Sequence, residues 1–206
     1  KYIDVPVQHI DDDVLKIMRR GYGSRAVHEL VERLRRAMPG VVLRTTLIAG
    51  HPGETSSAFD RLAKFVRAGD WDHLGVFAYS DEEGTPAFDV AEKVGAEEAL
   101  ARRDELMELQ RQVSRRRLGA WVGRELSVLV EGVSEESDYL LCGRHYGQAP
   151  GVDGLVYLAD AEAGVAPGSL VRARVTDASD YDLAATTLGV LAVAPALPRR
   201  LPVTSA

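Results

Sequence analysis

The stretch Arg44-Thr-Thr-Leu-Ile-Ala-Gly-His-Pro-Gly-Glu-Thr55 joins an apolar run to a glycine-rich turn and then to a helical pattern, the order of a βα unit. Val41, Val42, Leu43, Leu47, Ile48 and Ala49 are almost continuous, which predicts a parallel strand covered on both faces rather than an alternating surface strand. Gly50 and Gly53 permit a tight turn and let backbone N–H groups approach a bound molecule where a Cβ would intrude. Pro52 stiffens the turn between them. A ligand site at the top of the unit is therefore expected, in competition with an ordinary strand-to-helix turn, because short glycine motifs recur without function.

Toward the N-terminus, Tyr2 to Val7 has the composition of a short strand ending in Gln8-His9. Asp11 to Asp13 places negative charge ahead of Val14, Leu15, Ile17 and Met18, the pattern of a helix start. Ser24 is the expected N-cap of a second helix, with Val27, Leu30, Val31, Leu34 and Met38 at helical spacing until Pro39-Gly40 stops it. Toward the C-terminus, Ser56 or Ser57 caps a helix carrying Phe59, Leu62, Ala63, Phe65 and Val66, Gly69 ends it, and Trp71 to Tyr79 is a third strand. Strands alternating with helices imply right-handed crossovers and a parallel sheet, whose ligand site lies at the carboxyl ends of its strands. Those ends are Gln8-His9, Gly50 to Glu54 and Ala78 to Thr85.

A helix follows from about Ala96 to Leu118, with Ala99, Arg103, Leu106, Gln110 and Val113 on one face. Arg115, Arg116 and Arg117 near its end suit the helix dipole rather than a nucleic-acid patch. Beyond Trp121 the composition switches. The runs Leu126 to Val130, Tyr139 to Leu141, Leu155 to Leu158, Leu170 to Val175 and Leu183 to Val190 alternate with Gly and Asp turns and predict a small antiparallel barrel. The domain plan is thus 1–118, 119–191 and a proline-bearing tail, 192–206, expected to be disordered.

Among 206 residues, 46% are hydrophobic, enough for a real core, yet no apolar run reaches the length of a membrane span and Lys1 does not begin a signal peptide. A cytoplasmic protein with no membrane partner is expected. Because Lys1-Tyr2 already reads as a strand, the chain is taken as a piece of a longer protein. The single cysteine, Cys142, excludes an internal disulfide and any multi-cysteine metal site in this chain, and is expected to be a small core residue. Of the net charge of −6, residues 120–191 alone carry −7, from eleven acidic groups against four arginines. An acidic module repels a phosphate backbone and attracts a basic partner.

Five blocks, Asp4-Val-Pro-Val-Gln-His9, Met18-Arg-Arg-Gly21, Leu43-Arg-Thr-Thr46, Gly50-His-Pro-Gly-Glu-Thr55 and Gly75-Val-Phe-Ala-Tyr-Ser-Asp-Glu-Glu-Gly-Thr-Pro-Ala87, stand in order and closely resemble the radical SAM methylthiotransferases. The resemblance implies an α/β fold: the second half of a partial (βα) TIM-like radical SAM barrel, followed by a small antiparallel β-barrel of the TRAM, OB-like kind. Tyr79 to Thr85, Gly143 to Gly154 and Asp180-Tyr181-Asp182 are more similar to the branch that modifies a ribosomal protein than to the branch that modifies tRNA adenosine. The former adds a methylthio group to the β-carbon of an aspartate in the basic small-subunit protein at the decoding centre, a target that the acidic barrel suits. Nucleic-acid binding is not expected, and neither is oligomerisation. A tRNA-modifying enzyme and a non-catalytic protein-docking module are the rivals.

The family uses S-adenosyl-L-methionine and two 4Fe-4S clusters, one on a CxxxCxxC loop that generates the radical and one in an N-terminal domain that supplies sulfur. Neither cysteine set is in this chain, so it is expected to be inactive alone. What it can carry is part of the S-adenosylmethionine pocket. Gly50, Pro52, Gly53 and Glu54 match the segment near the adenine and ribose, with His51 in place of the more usual Phe. Gln8 either bonds the methionine part or caps a strand end. Arg44 needs a carboxylate, either that of the cofactor, which is favoured, or a structural Asp or Glu; Arg20 is a second candidate for the same work. Phe77 and Tyr79, two apart on a strand, either wall the adenine or pack the core. Asp81, Glu82 and Glu83, with Glu135, Glu136 and Asp138 on the barrel, are candidates for docking the basic substrate, against a solvated-loop alternative. His9 is expected to be a structural or substrate-side histidine, because no second ligand lies at metal spacing.

Overall fold

The computed structural model describes residues 1–135, 137–161 and 164–193. The chain divides into two compact units, Lys1–Ala120 with Ser179–Tyr181, and Trp121–Ala178 with the residues from Asp182 onward.

The first unit runs β1 (Tyr2–Asp4), α1 (Asp12–Ile17), α2 (Ser24–Ala37), β2 (Val42–Ala49), α3 (Ser56–Ala68), β3 (His73–Ala78) and α4 (Ala96–Gly119). Its strands pair in parallel in the order β1-β2-β3, with Asp4, Arg44 and His73 in register and Ile48 beside Phe77. Burial along β2 alternates: Leu43, Thr45, Leu47 and Ala49 are buried, whereas Arg44, Thr46 and Ile48 are only partly so. This corrects the expected cover on both faces. Leu43, Leu47, Leu74 and Val76 pack with Val27, Val31, Leu62, Phe65 and Leu106 from the helices. The opposite face carries Arg44, Thr46 and the 63% exposed Phe77. The polar residues Arg44 and Thr46, two apart, were the sequence signal for a one-sided strand.

The helix starts differ from expectation by a residue each. Gly23 caps α2, and the Ser24 N–H, already inside the helix, donates to Asp12 Oδ1 at 2.6 Å. At α3 the cap is Thr55 rather than Ser56 or Ser57: its extended backbone lets Oγ1 accept the Ala58 N–H at 3.2 Å. On α4 the buried stripe is Ala99, Arg102, Leu106, Gln110 and Val113, so Arg102 replaces Arg103. Positions 102 and 103 both have helical spacing to Ala99 and Leu106; the buried Glu54 carboxylate, which bonds Arg102, distinguishes them. At the amino ends of the strands, Asp72 accepts from Arg35 (2.7 Å), Arg117 (2.8 Å) and the Leu43 N–H (2.8 Å), tying α2, α4 and β2 to the start of β3.

The second unit contains β4 (Glu125–Ser134), β5 (Ser137–Arg144), β6 (Val156–Ala159), β7 (Leu170–Ala178) and β8 (Leu183–Ala192), closed in the order β4-β5-β6-β8-β7. Val128, Val130, Val156, Leu158, Val171, Ala173 and Val175 fill it at alternating positions. The expected antiparallel barrel closes through one parallel seam, between β6 and β8. The reason is geometric: five strands cannot alternate direction all the way round a ring. Cys142 is half-buried on β5 rather than in the core, and burial pushes its thiol up. Ala192 ends β8, and the remainder of the expected disordered tail, from residue 194, lies outside the described residues.

Candidate functional site at the strand carboxyl ends

Beyond β1 the chain continues along β2: the Gln8 N–H donates to Thr46 O at 2.9 Å and Gln8 O accepts the Ile48 N–H at 2.8 Å. Between these bonds Gln8 has a φ of 67°, a left-handed conformation that costs a non-glycine residue on the order of 1–3 kcal/mol. The turn sends His9 into the interior, where it is wholly buried. Its Nδ1 accepts the Asp11 N–H at 2.9 Å, so Nε2 carries the proton and donates to Glu54 Oε2 at 3.0 Å. Asp11 caps α1 and accepts from Arg61 at 2.6 Å. Burial raises the Asp11 carboxyl, but the Val14 N–H and Arg61 outweigh it and hold it below its ordinary value.

The glycine turn follows β2. Gly50 has a φ of 78°, and a Cβ there would overlap Ala99 of α4; one at Gly53 would overlap the side chain of Ile17. The close approach these glycines permit is thus to the chain's own helices. The Gly50 N–H donates to Glu54 Oε1 at 3.0 Å, and Arg102 Nη1 bonds both Glu54 Oε1 (2.7 Å) and the Glu54 carbonyl (2.9 Å). Both carboxylate oxygens are occupied within the protein. Burial pushes the Glu54 carboxyl up, yet the bonds from His9, Arg102 and Gly50 outweigh it and keep the group ionised below its usual range.

A cavity of about 260 Å³ opens at these carboxyl ends, lined by Met18, Arg20, Ile48, His51, Tyr79 and Glu82 among others. His51 donates from Nδ1 to the Pro52 carbonyl at 2.9 Å and meets the Tyr79 ring edge-on at 4.9 Å. Burial pushes the His51 imidazole down, favouring its neutral form. The Tyr79 hydroxyl donates to Asp81 at 3.0 Å, and the other Asp81 oxygen takes Lys93.

Of the residues expected in a cofactor pocket, Arg20 and Tyr79 lie together on this cavity. Gly50, Pro52 and Glu54 are buried and Gly53 half-buried, behind the wall rather than on it. Arg44 bonds Asp4 at 2.7 Å and Thr46 at 3.3 Å, the structural one of its two possible partners. It also sits five residues, roughly 16 Å, from the carboxyl end of β2. Phe77 is exposed on the open sheet face, so it and Tyr79 do not form one wall. Of the docking candidates, Glu82 lines the cavity, Asp81 is tied to Tyr79 and Lys93, Glu83 and Glu135 are exposed, and Glu136 and the Asp138 side chain lie outside the described residues. Sequence reasoning missed Arg102 and the wall position of His51. A charged residue on the buried stripe of α4 was the available signal, since a buried cation demands a buried anion.

Comparison with known proteins bears on these features. Residues 1–66 match the Radical SAM superfamily and residues 122–188 match the TRAM domain. Relatives that carry the name ribosomal protein uS12 methylthiotransferase RimO match most of the chain. That of Anaeromyxobacter sp. (strain Fw109-5) is 51% identical over 89% of this chain and 38% of its own length. That of Sorangium cellulosum is 48% identical over 88% of this chain and 37% of its own. That of Myxococcus xanthus is 46% identical over 90% and 38%. Over nearly nine-tenths of its length the chain is similar to radical SAM methylthiotransferases. It spans under two-fifths of the length of these curated relatives. Among solved structures, the archaeal Methanocaldococcus infernus Elp3 with an N-terminal deletion aligns at a TM-score of 0.42 and 18% identity, over 54% of this chain and 26% of that chain, too slight a likeness to carry an argument.

The family implies S-adenosylmethionine and iron–sulfur clusters, and the two fit this chain differently. With one cysteine in the sequence, the chain has no thiolate set for a cluster, and no group of three or more His, Cys, Asp or Glu among the described residues is placed to hold a metal. The cavity suits part of a nucleoside: an aromatic pair and Ile48 offer apolar wall, Arg20 and Glu82 polar ends. At about 260 Å³ it falls just short of the ~300 Å³ at which small-molecule sites begin. No described helix is long and apolar enough to cross a membrane.

Proposed function

We propose that this chain is part of a radical SAM methylthiotransferase that adds a methylthio group to the β-carbon of an aspartate in the small-subunit ribosomal protein uS12. The identity of 46–51% to relatives of that name, over nearly nine-tenths of the chain, carries the proposal. S-adenosylmethionine, when bound, supplies radical chemistry and a methyl group. Toward it, His51, Tyr79 and Ile48 provide a water-excluding wall for the adenine, while Arg20 and Glu82 offer a cation and a hydrogen-bond acceptor at its rim. Gln8, at the neighbouring strand end, is a donor and acceptor for the methionine portion. The clusters take their ligands from residues outside this chain.

In the acidic barrel, Arg144 bonds Glu131 and Arg174 bonds Glu125, each at 2.7 Å or less, so these two cations are already neutralised. The surplus carboxylates favour a basic polypeptide over a phosphate backbone. The setting for both partners is the cytoplasm. Deleting the gene that encodes this chain should leave uS12 lacking a methylthio group on one aspartate, read as the mass of the peptide, and restoring the gene should return it. Loss of methylthio-adenosine from tRNA with uS12 unaltered would instead establish the tRNA-modifying alternative.

A further inference from the structure

Two turns and a helix meet at one buried carboxylate. Gln8-His9 follows β1, Gly50 to Glu54 follows β2, and Arg102 reaches in from α4 after β3; all converge on Glu54. None of the three polar side chains involved, His9, Glu54 or Arg102, lines the cavity, but the Glu54 backbone N–H donates at 2.9 Å to the carbonyl of His51, which does. His9 follows the left-handed Gln8 and, through Asp11, fixes the first turn of α1, whose far end contributes Ile17 and Met18 to the cavity. Glu54 ties back the Gly50 N–H, one residue from His51. Arg102 alone supplies a full positive charge to the cluster, because His9 gives its Nδ1 lone pair to the Asp11 N–H and is neutral in this arrangement.

We propose that Arg102 is a positioning residue of the cofactor site: its ion pair with Glu54 keeps that carboxylate charged, so that the His9 Nε2–H and the Gly50 N–H both converge on it and hold the Gln8 and His51 sides of the site in place. The role assigned to Glu54 differs accordingly. Its carboxylate is the internal anion around which the glycine turn folds, not a ligand of the cofactor. The Nη1 of Arg102 meets the Glu54 side chain and main-chain oxygens at once, while its Nε bonds Glu98 at 2.9 Å, so the guanidinium spans the turn and its own helix. A lysine could supply the charge but not this fork.

The inference rests on the cavity being part of an S-adenosylmethionine site, and the test separates the two. The 206-residue chain is titrated calorimetrically with S-adenosylmethionine beside Arg102→Met, Arg102→Lys and Arg117→Met, each at a temperature where it remains folded. Arg117→Met breaks an ion pair at the opposite ends of the strands and should leave affinity within about twofold of the parent. Arg102→Met should weaken it about tenfold or more, the loss typical when an orienting partner is removed, with Arg102→Lys between. The double variant Glu54→Gln with Arg102→Met removes both buried charges and should regain stability without regaining affinity. Equal losses in Arg102→Met and Arg117→Met, no loss in the former, or affinity returning with stability in the double variant would each overturn the role. If the parent chain binds no S-adenosylmethionine, the cavity assignment falls, and ¹⁵N spectra decide the positioning claim. Arg102→Met must then move the His9 Nε2, Gln8 and Gly50 signals while Arg117→Met leaves them in place, and unmoved signals would refute it.

Discussion

Two carboxylates anchor the parallel sheet from opposite ends, and they are held in different solvent environments. At the amino ends, Asp72 takes Arg35 and Arg117, with its side chain 20% exposed and both arginines 31% exposed. At the carboxyl ends, Glu54 takes His9 and Arg102 with no exposed carboxylate surface at all. Each also captures a backbone N–H of β2 or the turn after it, Leu43 for Asp72 and Gly50 for Glu54. Water can replace a lost partner at Asp72, and the second arginine remains. At Glu54 neither remedy exists, so the charge must stay paired. The amino-end cluster therefore serves stability, whereas the carboxyl-end cluster shapes the place where ligands bind in parallel α/β folds.

The comparison breaks most directly at the arginines. Arg102→Met should cost about 3–5 kcal/mol in urea denaturation, because it strands a buried carboxylate. Arg117→Met should cost about 1 kcal/mol, as for a partly exposed pair with a surviving partner. Similar costs would mean that burial does not distinguish the two ends. Next in size is Gly50→Ala, expected to cost about 3 kcal/mol from a left-handed backbone combined with overlap against Ala99. Gly84→Ala, with a φ of 80° but open space around it, should cost about 1 kcal/mol. If the two matched, strain alone would account for Gly50 and its packing against α4 would be immaterial.

Acid sharpens the comparison further. The folded Glu54 carboxyl lies below its unfolded value of 4.5, so its stabilisation is complete above that pH and is lost as pH falls through the folded value. Urea midpoints followed from about pH 6 to about pH 3 should fall steeply for the parent and more gently for Glu54→Gln, with Asp11 supplying the remaining slope. The smallest effect is expected at His51. Burial sets its folded value below 6.5, so its contribution is present above that pH and declines below it. His51→Phe retains the edge contact with Tyr79 and should change stability by less than about 1 kcal/mol at neutral pH, while removing the decline that begins below pH 6.5. A decline of unchanged size in the Phe variant would place its origin elsewhere.

Local pattern carried the architecture well. The apolar run before Gly50, the helical spacing from Phe59 to Val66 and the composition change at Trp121 each correspond to an element of the structure. The misassignments share a cause. Ser24, Ser56 and Ser57 are good cap residues by type, but capping depends on which backbone position is extended, and that position fell to Gly23 and Thr55. The motif Gly50 to Glu54 was legible as a site-forming turn, whereas the direction of its groups was not: a glycine that admits a ligand and one that admits a neighbouring helix look alike in sequence. Arg44 illustrates the same limit, since its need for an anion could be read from the strand but not the choice of Asp4.

The sequence by itself determined the order of strands and helices, the parallel sense of the sheet, the five barrel strands and the family resemblance, because these depend on short-range periodicity, turn chemistry and recognisable blocks of residues. Only the tertiary structure decided that Glu54 belongs to His9 and Arg102, 45 and 48 residues away, and that His51 and Tyr79 face one cavity. Pairing across such distances is set by how the crossover helices pack on the sheet, and the cost of burying a charge then selects the partner that packing brings within reach.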